Sequence, residues 1–391
     1  MMKDEIRIVH IIGAINSGGA ERFVVDLCNQ LATNKYHQVH LISLCKNNTI
    51  DTIVDEISPA VNYLSFKKKD GFSLRTLAEL TYWLIRRRAD IVHTHLNAFE
   101  YLYGYLLLNK RCRFFHTIHS MAQYECPDFF IFKYIRTFFY RINKVRAITI
   151  SQNGSETYRQ YYHLQNDIII PNGRPHLLLT NKSKMLNERY KGNSDTFLVL
   201  HIGRISEEKN QRLLIQGIQQ FNELEYKKCK LLIIGTGKRL LFNELKQLAL
   251  ADKNIEFLGA KKNIADYLAI SDAFCLSSTC EGMPIVIIEA FSVGCVPIST
   301  PVGGVPQMIS HGKTGFLSLD LSVNAYYHTL KQVLFASNKD QIIEDCKAEF
   351  ELKYHIVTAS TAYSDVYLQA LGINVREVSH QFLKLELDPN R

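Results

Sequence analysis

The feature that most constrains the fold of this 391-residue chain is the alternation of short apolar runs, rich in β-branched residues, with longer helical patterns. Apolar strands that alternate with helices of ten or more residues predict parallel sheets covered by helices on both faces. The fold class is therefore α/β. The predicted strands are residues 6–12, 39–44, 90–95, 113–118, 146–150 and 167–170 in the first half, and 196–202, 230–234, 255–258, 272–276 and 295–299 in the second.

The length of the chain and a break in this pattern predict two domains. Single hydrophobic cores stop growing at roughly 250–300 residues. The alternation stops at Pro171-Asn172-Gly173-Arg174-Pro175, and a polar stretch at 181–195 precedes the next strand. We expect doubly wound, Rossmann-like domains at 1–175 and 190–352, with ligands bound at the carboxyl ends of the strands, in a central cleft between the domains. An amphipathic helix is predicted at 353–371, and a weakly patterned tail at 377–391.

Composition narrows the partners and the compartment. The net charge of +8, from 46 Lys+Arg against 38 Asp+Glu, suits anionic partners such as phosphates or acidic lipid surfaces and is too small to imply nucleic acid. The nine cysteines include no C-x-x-C pair, which favours a reducing, cytoplasmic compartment. We find no transmembrane segment and no signal peptide. Cys275 and Cys280 lack the second ligand pair of a zinc site.

The most informative local pattern is a pair of carboxylates around a helix start. Glu281 lies in the loop that follows a predicted strand, and Glu289 lies eight residues further on. Pro284 suits the first helical position, where a missing N–H costs nothing. The amide groups of Met283, Ile285 and Val286 would point into the loop and bind an oxygen-rich anion. Acceptor carboxylates beside donor amides suit a nucleotide sugar, which carries diol and phosphate groups together.

Two other loops follow predicted strands. Gly18 and Gly19 open a helix after the first strand, where a plain turn is the alternative to a ligand loop. Arg204 and Lys209 bracket the loop after residues 196–202, and both could bind one diphosphate. The alternative is that they are ordinary solvated charges.

Several familiar signatures are missing. The chain has no G-x-G-x-x-G, no phosphate-binding G-x-x-x-x-G-K-[ST] and no G-x-S-x-G. It also has no D-x-D pair to bind a divalent metal against a diphosphate, so Arg204, Lys209 and helix ends would have to stabilise a departing diphosphate. His93 and His95 share one face of a strand, and His116 and His119 end the next. Metal binding by these histidines is conceivable, but hydrogen bonding at a strand end is the favoured alternative, and we expect His119 in a cleft.

Residues 129–146 combine five cations, no acid and seven aromatic side chains. A helix of this kind can lie in an anionic membrane surface. The alternative is a core helix whose cations reach out to water. The sequence alone leaves both open.

Together these residues resemble the retaining GT-B glycosyltransferases of family 4, the glycosyl transferases group 1. The two carboxylates Glu281 and Glu289 match the E-x7-E pattern of that family. The segments Gly203-Arg204 with Glu208-Lys209, residues 90–95, Ile170-Pro171-Asn172-Gly173 and Gly18-Gly19-Ala20-Glu21 follow it as well. One departure is Gln307, where the family often has Glu, which puts the identity of the donor in doubt.

The resemblance implies a role for each matching residue. Arg204 and Lys209 would bind the donor diphosphate, helped by amides at Gly18 and Gly19. Glu289 would bind the ribose hydroxyls. His119 would face the reacting sugar. The donor sugar would be bound by Glu281, Gly282, Met283 and Pro284. The last helix, about residues 353–391, would cross back to the first domain.

The implied activity is transfer of a sugar from a UDP-sugar, with GDP-mannose as the alternative donor, to a hydroxyl acceptor with retention and without a metal or other cofactor. We expect a lipid-linked or cell-surface polysaccharide precursor as acceptor, and a cytoplasmic enzyme that is peripheral on the inner face of the membrane. Two alternatives remain open. A nucleotide-sugar 2-epimerase of the same architecture would consume donor alone, and a non-catalytic sugar- or phospholipid-binding module would give no product.

Overall fold

The computed structural model describes residues 5–47, 52–69, 71–127, 130–192 and 196–373. The chain divides into two compact units. Unit 1 comprises the chain up to Gly173 together with the segment from Ile356 onward, and unit 2 is Arg174–His355. The tail predicted at 377–391 and the end of the predicted crossing helix lie outside the described residues.

Unit 1 is built on a seven-stranded parallel sheet. Its strands are β1 (Ile6–Ile12), β2 (His37–Cys45), β3 (Asn62–Lys68), β4 (Ile91–His95), β5 (Arg113–Ile118), β6 (Val145–Thr149) and β7 (Ile168–Ile169). Its helices are α1 (Gly19–Leu31), α2 (Leu74–Arg87), α3 (Tyr103–Leu108), α4 (Ala122–Glu125), α5 (Phe130–Arg141), α6 (Gln152–Tyr162) and, from the far end of the chain, α15 (Ile356–Leu371).

Unit 2 is built on a six-stranded parallel sheet. Its strands are β8 (Phe197–Ile202), β9 (Cys229–Ile234), β10 (Ile255–Gly259), β11 (Ala273–Leu276), β12 (Pro297–Ser299) and β13 (Phe316–Leu317). Its helices are α7 (Lys182–Tyr190), α8 (Gln211–Leu224), α9 (Arg239–Ala249), α10 (Ile264–Ile270), α11 (Ile285–Val293), α12 (Val305–Met308), α13 (Val323–Leu334) and α14 (Lys339–Glu349).

The strand order of both sheets positions their loops. Unit 1 has the order β3-β2-β1-β4-β5-β6-β7, and unit 2 has β10-β9-β8-β11-β12-β13. The order reverses between β1 and β4 in the first sheet and between β8 and β11 in the second. At such a switch point the loops leave neighbouring strands in opposite directions, which opens a crevice at the carboxyl edge. The α/β prediction is therefore confirmed, and each unit presents one such crevice.

The central strands are apolar because helices cover both of their faces. Ile8, Val9, Ile11 and Ile12 of β1 are fully buried, as are Val199 and Leu200 of β8. All nine cysteines are free; seven are buried, and Cys45 and Cys280 are half-buried. In the described part of the chain no helix is both long enough and apolar enough to cross a membrane.

All eleven predicted strands are present, with ends that differ by a few residues, and two strands, β3 and β13, were missed. β3 lies at the edge of its sheet and has the mixed sequence NYLSFKK. β13 has only two residues, at the opposite edge of the second sheet. Neither offers the apolar run by which the buried strands were recognised.

Candidate active site

The site in unit 2 lies at the switch point between β8 and β11. The loop after β8 carries Arg204 and Lys209, and the loop after β11 carries Glu281. Since β8 and β11 are paired in parallel, their carboxyl ends lie at the same edge of the sheet. The fold thus brings together two loops that are more than seventy residues apart in sequence.

Lys209 and Glu281 form the central contact of this site. The Lys209 ammonium lies 2.5 Å from Oε1 of Glu281, and the Ser278 hydroxyl donates to the same oxygen at 2.6 Å. The side chain of Glu281 is 9% exposed and that of Lys209 is 26% exposed. One carboxylate oxygen of Glu281 therefore has two donors, which leaves its Oε2 as the acceptor through which this residue could contact a ligand.

Backbone contacts fix the two loops against each other. The amide of Thr279 donates to the carbonyl of Glu208 at 2.8 Å, and the Ser277 hydroxyl donates to the carbonyl of Lys209 at 3.0 Å. The short turn Glu207–Lys209 is therefore bonded directly to the segment that leads into Glu281. Lys209 keeps its position without support from a ligand.

A glycine pair supports Glu281 from its other side. The amide of Gly304 donates to the carbonyls of Glu281 and Gly282, at 3.3 and 3.1 Å. Gly303 has a positive φ of 56°, and a β-carbon there would collide with the carbonyl oxygen of Glu281. Position 303 therefore requires glycine for two reasons, its backbone conformation and the close approach of the Glu281 loop.

Arg204 differs from Lys209 in the exposure of its side chain. Its side chain is exposed, while its carbonyl accepts from Nε2 of Gln211 at 2.8 Å. Gln211 also contacts Nε2 of His201 at 3.1 Å, and Nδ1 of His201 lies 2.9 Å from the Cys275 carbonyl. Burial lowers the pKa of His201 to about 4, so this ring is neutral and bridges β8 to β11. The backbone at Arg204 is fixed, and its guanidinium extends from it.

The start of α11 lies one residue later than predicted. Pro284 is the N-cap, with an extended backbone, and the helix begins at Ile285. Gly282 and Met283 precede it, and Met283 is buried. The amide groups of the first turn of a helix have no partner within that helix, so this end can bind an anion. The predicted helix start was one residue too early.

Glu289 has a partner that the sequence did not reveal. This residue is 2% exposed, and its Oε1 lies 3.1 Å from Nε of Arg174, which is also buried. Arg174 was seen only as part of a polar break between domains. Because removing one member of a buried ion pair leaves the other charge uncompensated, Glu289 has a structural role besides any contact with a ribose.

In unit 1, Gly18 and Gly19 form the beginning of α1. Gly18 is the N-cap and Gly19 the first helical residue. The carboxylate of Glu21 folds back over Gly18, where it would collide with any β-carbon. A negative charge of the chain itself therefore lies at this positive helix end. An anionic ligand would have to displace Glu21 or bind beside it.

His119 follows β5 and is nearly buried. Its ring lies edge-on to Phe23 of α1, with ring centres 6.0 Å apart, and its Nε2 lies 3.0 Å from Nδ1 of His95. Burial lowers the pKa of His119 to about 3, so the imidazole is neutral at physiological pH. The amides of His119 and Ser120 both donate to Oε2 of Glu125, at 2.7 and 3.1 Å. Burial raises the pKa of Glu125 to about 7, against the opposing effect of a nearby arginine.

His10, His93 and His95 are the only group of three potential metal ligands that meets in the described part of the chain. The three rings are stacked, with interplanar angles of 12 to 22°. A ligating imidazole points its lone pair in its own ring plane, and nearly parallel planes do not converge on one ion. Both nitrogens of His93 also have partners, the Tyr367 hydroxyl at 2.5 Å and the Thr117 hydroxyl at 2.7 Å. The arrangement favours hydrogen bonding over metal binding.

The other glycine loops and Gln307 lie at the same edge of the unit 2 sheet. Gly235 approaches the carbonyl of Gly203 so closely that a β-carbon would collide with it, and Gly237 bridges to Ile205. Gln307 lies on α12, just after the glycine pair that supports Glu281. The loop after β9 therefore buttresses the loop that carries Arg204.

Known proteins resemble the chain over most of its length. A family model described as Glycosyltransferase Family 4 matches residues 17–175, and one described as Glycosyl transferases group 1 matches residues 184–345. Anabaena HepE, solved with UDP and glucose, superimposes with a TM-score of 0.77 and 17% identity over 93% of this chain and 99% of its own. At that identity the match concerns the fold alone, and the fold is GT-B.

Among curated relatives, N-acetyl-alpha-D-glucosaminyl L-malate synthase of Bacillus anthracis is 24% identical over 77% of this chain and 80% of its own length. The capsular polysaccharide biosynthesis glycosyltransferase CapH of Staphylococcus aureus is 24% identical over 84% and 91%. An Escherichia coli UDP-Gal:alpha-D-GlcNAc-diphosphoundecaprenol alpha-1,3-galactosyltransferase is 23% identical over 82% and 88%. The chain belongs to the family 4 glycosyltransferases of the GT-B fold.

Proposed function

We propose that this glycosyltransferase moves a sugar from a nucleoside diphosphate sugar, with a UDP-sugar favoured over GDP-mannose, to a hydroxyl acceptor with retention of anomeric configuration and without a metal. The observation that carries the proposal is the Lys209–Glu281–Ser278 cluster at the β8/β11 switch point, with Arg204 exposed beside it. Cations, helix amides and a carboxylate meet there, which is the combination that a sugar diphosphate requires.

In the proposed reaction, the bond from the anomeric carbon to the diphosphate oxygen breaks, and the acceptor oxygen forms the new bond on the same face. The departing phosphate oxygen takes the proton of the acceptor hydroxyl. Negative charge grows on the diphosphate in the transition state, so Arg204, Lys209 and the first turn of α11 stabilise that state more than the ground state. Glu281 already has Lys209 and Ser278 on one oxygen. This pairing suits sugar binding through Oε2 better than nucleophilic attack.

In unit 1 we assign His119 to a hydroxyl of the donor sugar, and Gly18 and Gly19 to the diphosphate. In unit 2 we assign Glu289 to the ribose, as a buried acceptor already oriented by Arg174. These roles extend the proposal from the cluster to the whole donor.

The decisive experiment incubates the enzyme with a panel of UDP- and GDP-sugars, with and without acceptor, and measures release of nucleoside diphosphate and the configuration of the product by NMR. Arg204→Ala combined with Lys209→Ala should lower kcat/KM by at least a hundredfold, since two charge-assisted contacts are lost. The control, Lys261→Ala with Lys262→Ala, removes two exposed cations two strands away from the switch point and should retain normal turnover.

Near-normal turnover in the Arg204 and Lys209 double variant would overturn the assignment of the diphosphate. Conversion of donor without any acceptor would support a 2-epimerase instead. Donor binding without product would support a binding module. Strong inhibition by EDTA would contradict metal independence.

We also propose a lipid-linked acceptor and a peripheral position on an anionic membrane, reached from the cytoplasm. The relatives include an enzyme whose substrate is named as a diphosphoundecaprenol. In this chain the support is helix α5, on which Phe130, Tyr134 and Phe138 are 57 to 68% exposed at a spacing of four residues, with exposed Ile142 continuing the stripe. Lys133 and Arg141 flank the stripe, as anionic lipid would require.

A further inference from the structure

Three buried imidazoles of unit 1 form a continuous hydrogen-bonded chain. Nδ1 of His10 lies 2.9 Å from Nε2 of His95, and Nδ1 of His95 lies 3.0 Å from Nε2 of His119. These hydrogen bonds use only one ring nitrogen of His10 and one of His119. The two terminal atoms, Nε2 of His10 and Nδ1 of His119, are buried and have no hydrogen-bond partner in the described part of the protein.

The three rings must share one tautomer. Burial lowers the pKa of His10 to about 3, and it lowers the pKa of His95 well below its ordinary value, as it does for His119. Each ring is therefore neutral and has one N–H and one lone pair. A hydrogen bond between two nitrogens needs one proton, so a ring that donates through Nδ1 must meet an unprotonated Nε2 in the next ring. That next ring then carries its own proton on Nδ1, and all three rings share the Nδ1–H tautomer. The alternative is Nε2–H in all three.

The different burial of the two end rings decides between these two states. With Nε2–H throughout, His10 would leave an unpaired N–H in the core, where this residue is 0% exposed. With Nδ1–H throughout, His10 would leave only an unpaired lone pair, and the unpaired N–H would lie on Nδ1 of His119, a residue that is 8% exposed. An unpaired N–H costs more than an unpaired lone pair, because a donor without an acceptor loses its only hydrogen bond, so the state that places it at the less buried end is favoured.

We propose that His10, His95 and His119 form a tautomer relay that presents Nδ1–H of His119 as a hydrogen-bond donor to a sugar hydroxyl oxygen. His10 and His95 are positioning residues that act through His119. The sugar as ligand rests on the proposed function, whereas the tautomers do not. Glu125 helps to hold His119 in place, since its carboxylate accepts a hydrogen bond from the backbone amide of His119.

His93 provides a matched comparison. It has the same burial as His95, lies two residues away on β4, and stacks on His95 with ring centres 4.4 Å apart. Its nitrogens contact Tyr367 and Thr117, so it is not part of the relay. A variant of His93 therefore disturbs the cluster without interrupting the chain of nitrogens.

The first experiment records two-bond 15N–1H correlation spectra of ligand-free protein labelled at histidine. We expect the proton on Nδ1 in His10, His95 and His119, although a histidine in water carries it mainly on Nε2. A proton on Nε2 in any of the three would overturn the relay. This result needs no substrate and does not depend on the reaction.

The second experiment compares two variants at position 10 that have nearly the same shape. In His10→Asn the amide group can donate to Nε2 of His95, so the proton of His119 should stay on Nδ1. In His10→Asp a carboxylate accepts from His95, as buried aspartates do when they orient histidines, so the proton of His119 should move to Nε2. An unchanged His119 in folded His10→Asp would overturn the coupling. If this variant does not fold, the wild-type spectrum decides, and a proton on Nε2 of any of the three rings overturns the relay.

The last measurement connects the relay to the donor. His10→Asp should raise the donor KM about tenfold relative to His10→Asn, the effect of losing one hydrogen bond. His93→Asn should leave the His119 spectrum unchanged. Equal KM values in the two position 10 variants, despite different tautomers, would contradict the contact with the sugar. The tautomers could be found as assigned in a protein that turns over no nucleotide sugar. In that case the relay would stand and the proposed function would be wrong.

Discussion

At the scale of single residues, the unit 2 site depends on contacts that converge on Glu281. Its side chain has Lys209 and Ser278 as partners, and its carbonyl accepts from Gly304. The carbonyl also lies against Gly303, which has no room for a side chain. A substitution at Gly303 therefore reaches Glu281 without removing a charge.

Gly303→Ala should destabilise unit 2 by more than the roughly 1–2 kcal/mol of left-handed strain, and should lower donor kcat/KM at least tenfold by displacing the Glu281 loop. Gly312→Ala is the matched control, because Gly312 also has a positive φ, of 78°, and has open space around it. Urea unfolding and steady-state kinetics would measure both effects. Equal activity in the two variants would show that the Glu281 loop tolerates the shift.

The sequence predicted the charged residues of this candidate site but not the contacts that support them. Arg204, Lys209, Glu281 and Glu289 could be selected because loops after parallel strands meet at one edge. Arg174 could not be selected, because its contact with Glu289 joins positions far apart in the chain. The pairing depends on how the segment before β8 returns to α11, and no local pattern encodes that path.

At the scale of elements, α5 explains why the sequence left two interpretations open. One face of this helix packs into unit 1 through Arg136, Phe139 and Tyr140. Arg136 does not reach out to water as the core-helix alternative expected. It is buried, lies 2.7 Å from Glu100 and stacks over the ring of Phe99. The opposite face exposes the aromatic stripe, so one helix has both a core face and an apolar outer face. The first residue of the predicted segment 129–146 lies outside the described residues.

Replacing the stripe should abolish binding to anionic vesicles. The variant Phe130→Ser, Tyr134→Ser, Phe138→Ser removes three exposed rings and none of the buried ones. Co-sedimentation with vesicles of anionic and of purely zwitterionic lipid should show binding by wild type to the anionic vesicles only. Leu224→Ser with Tyr226→Ser removes exposed apolar side chains from unit 2 and serves as control. Equal binding by the stripe variant and wild type would contradict the proposed surface.

Strands could be predicted where burial on both faces gives an apolar run. β3 alternates between exposed and half-buried positions at the sheet edge, so its composition is that of a loop. β13 is too short to produce any pattern. The central strands, which determine where the switch points fall, were the ones that sequence could identify.

At the scale of the whole molecule, the two units differ in their response to acid. Six histidines of unit 1 are buried with lowered pKa values, His10, His40, His93, His95, His116 and His119. Unit 2 contains one such group, His201. Below pH 6.5 the unfolded chain binds protons that these folded histidines do not bind, so their contribution to stability is lost as the pH falls. Glu125 acts in the opposite direction, because its raised pKa means that folding favours its proton between about pH 4.5 and 7.

Lowering the pH from 7.5 to 5.5 should therefore reduce the unfolding free energy of unit 1 by several kcal/mol, at about 1.4 kcal/mol per histidine for each pH unit below 6.5. The single tryptophan, Trp83, lies on α2, so its fluorescence during urea unfolding follows unit 1. Hydrogen exchange of β8 and β11 would follow unit 2. Equal losses in the two units would contradict the assignment of neutral histidines.

The last described helix, α15, belongs to unit 1, although all of unit 2 precedes it in the chain. Its Tyr367 contacts His93, and its Tyr363 hydroxyl lies 3.1 Å from that of Thr117. A ribosome therefore completes unit 2 while unit 1 still lacks the helix that covers its buried imidazoles. During synthesis the first sheet therefore leaves the ribosome before α15 does, and its imidazole cluster stays without that cover until unit 2 has been translated.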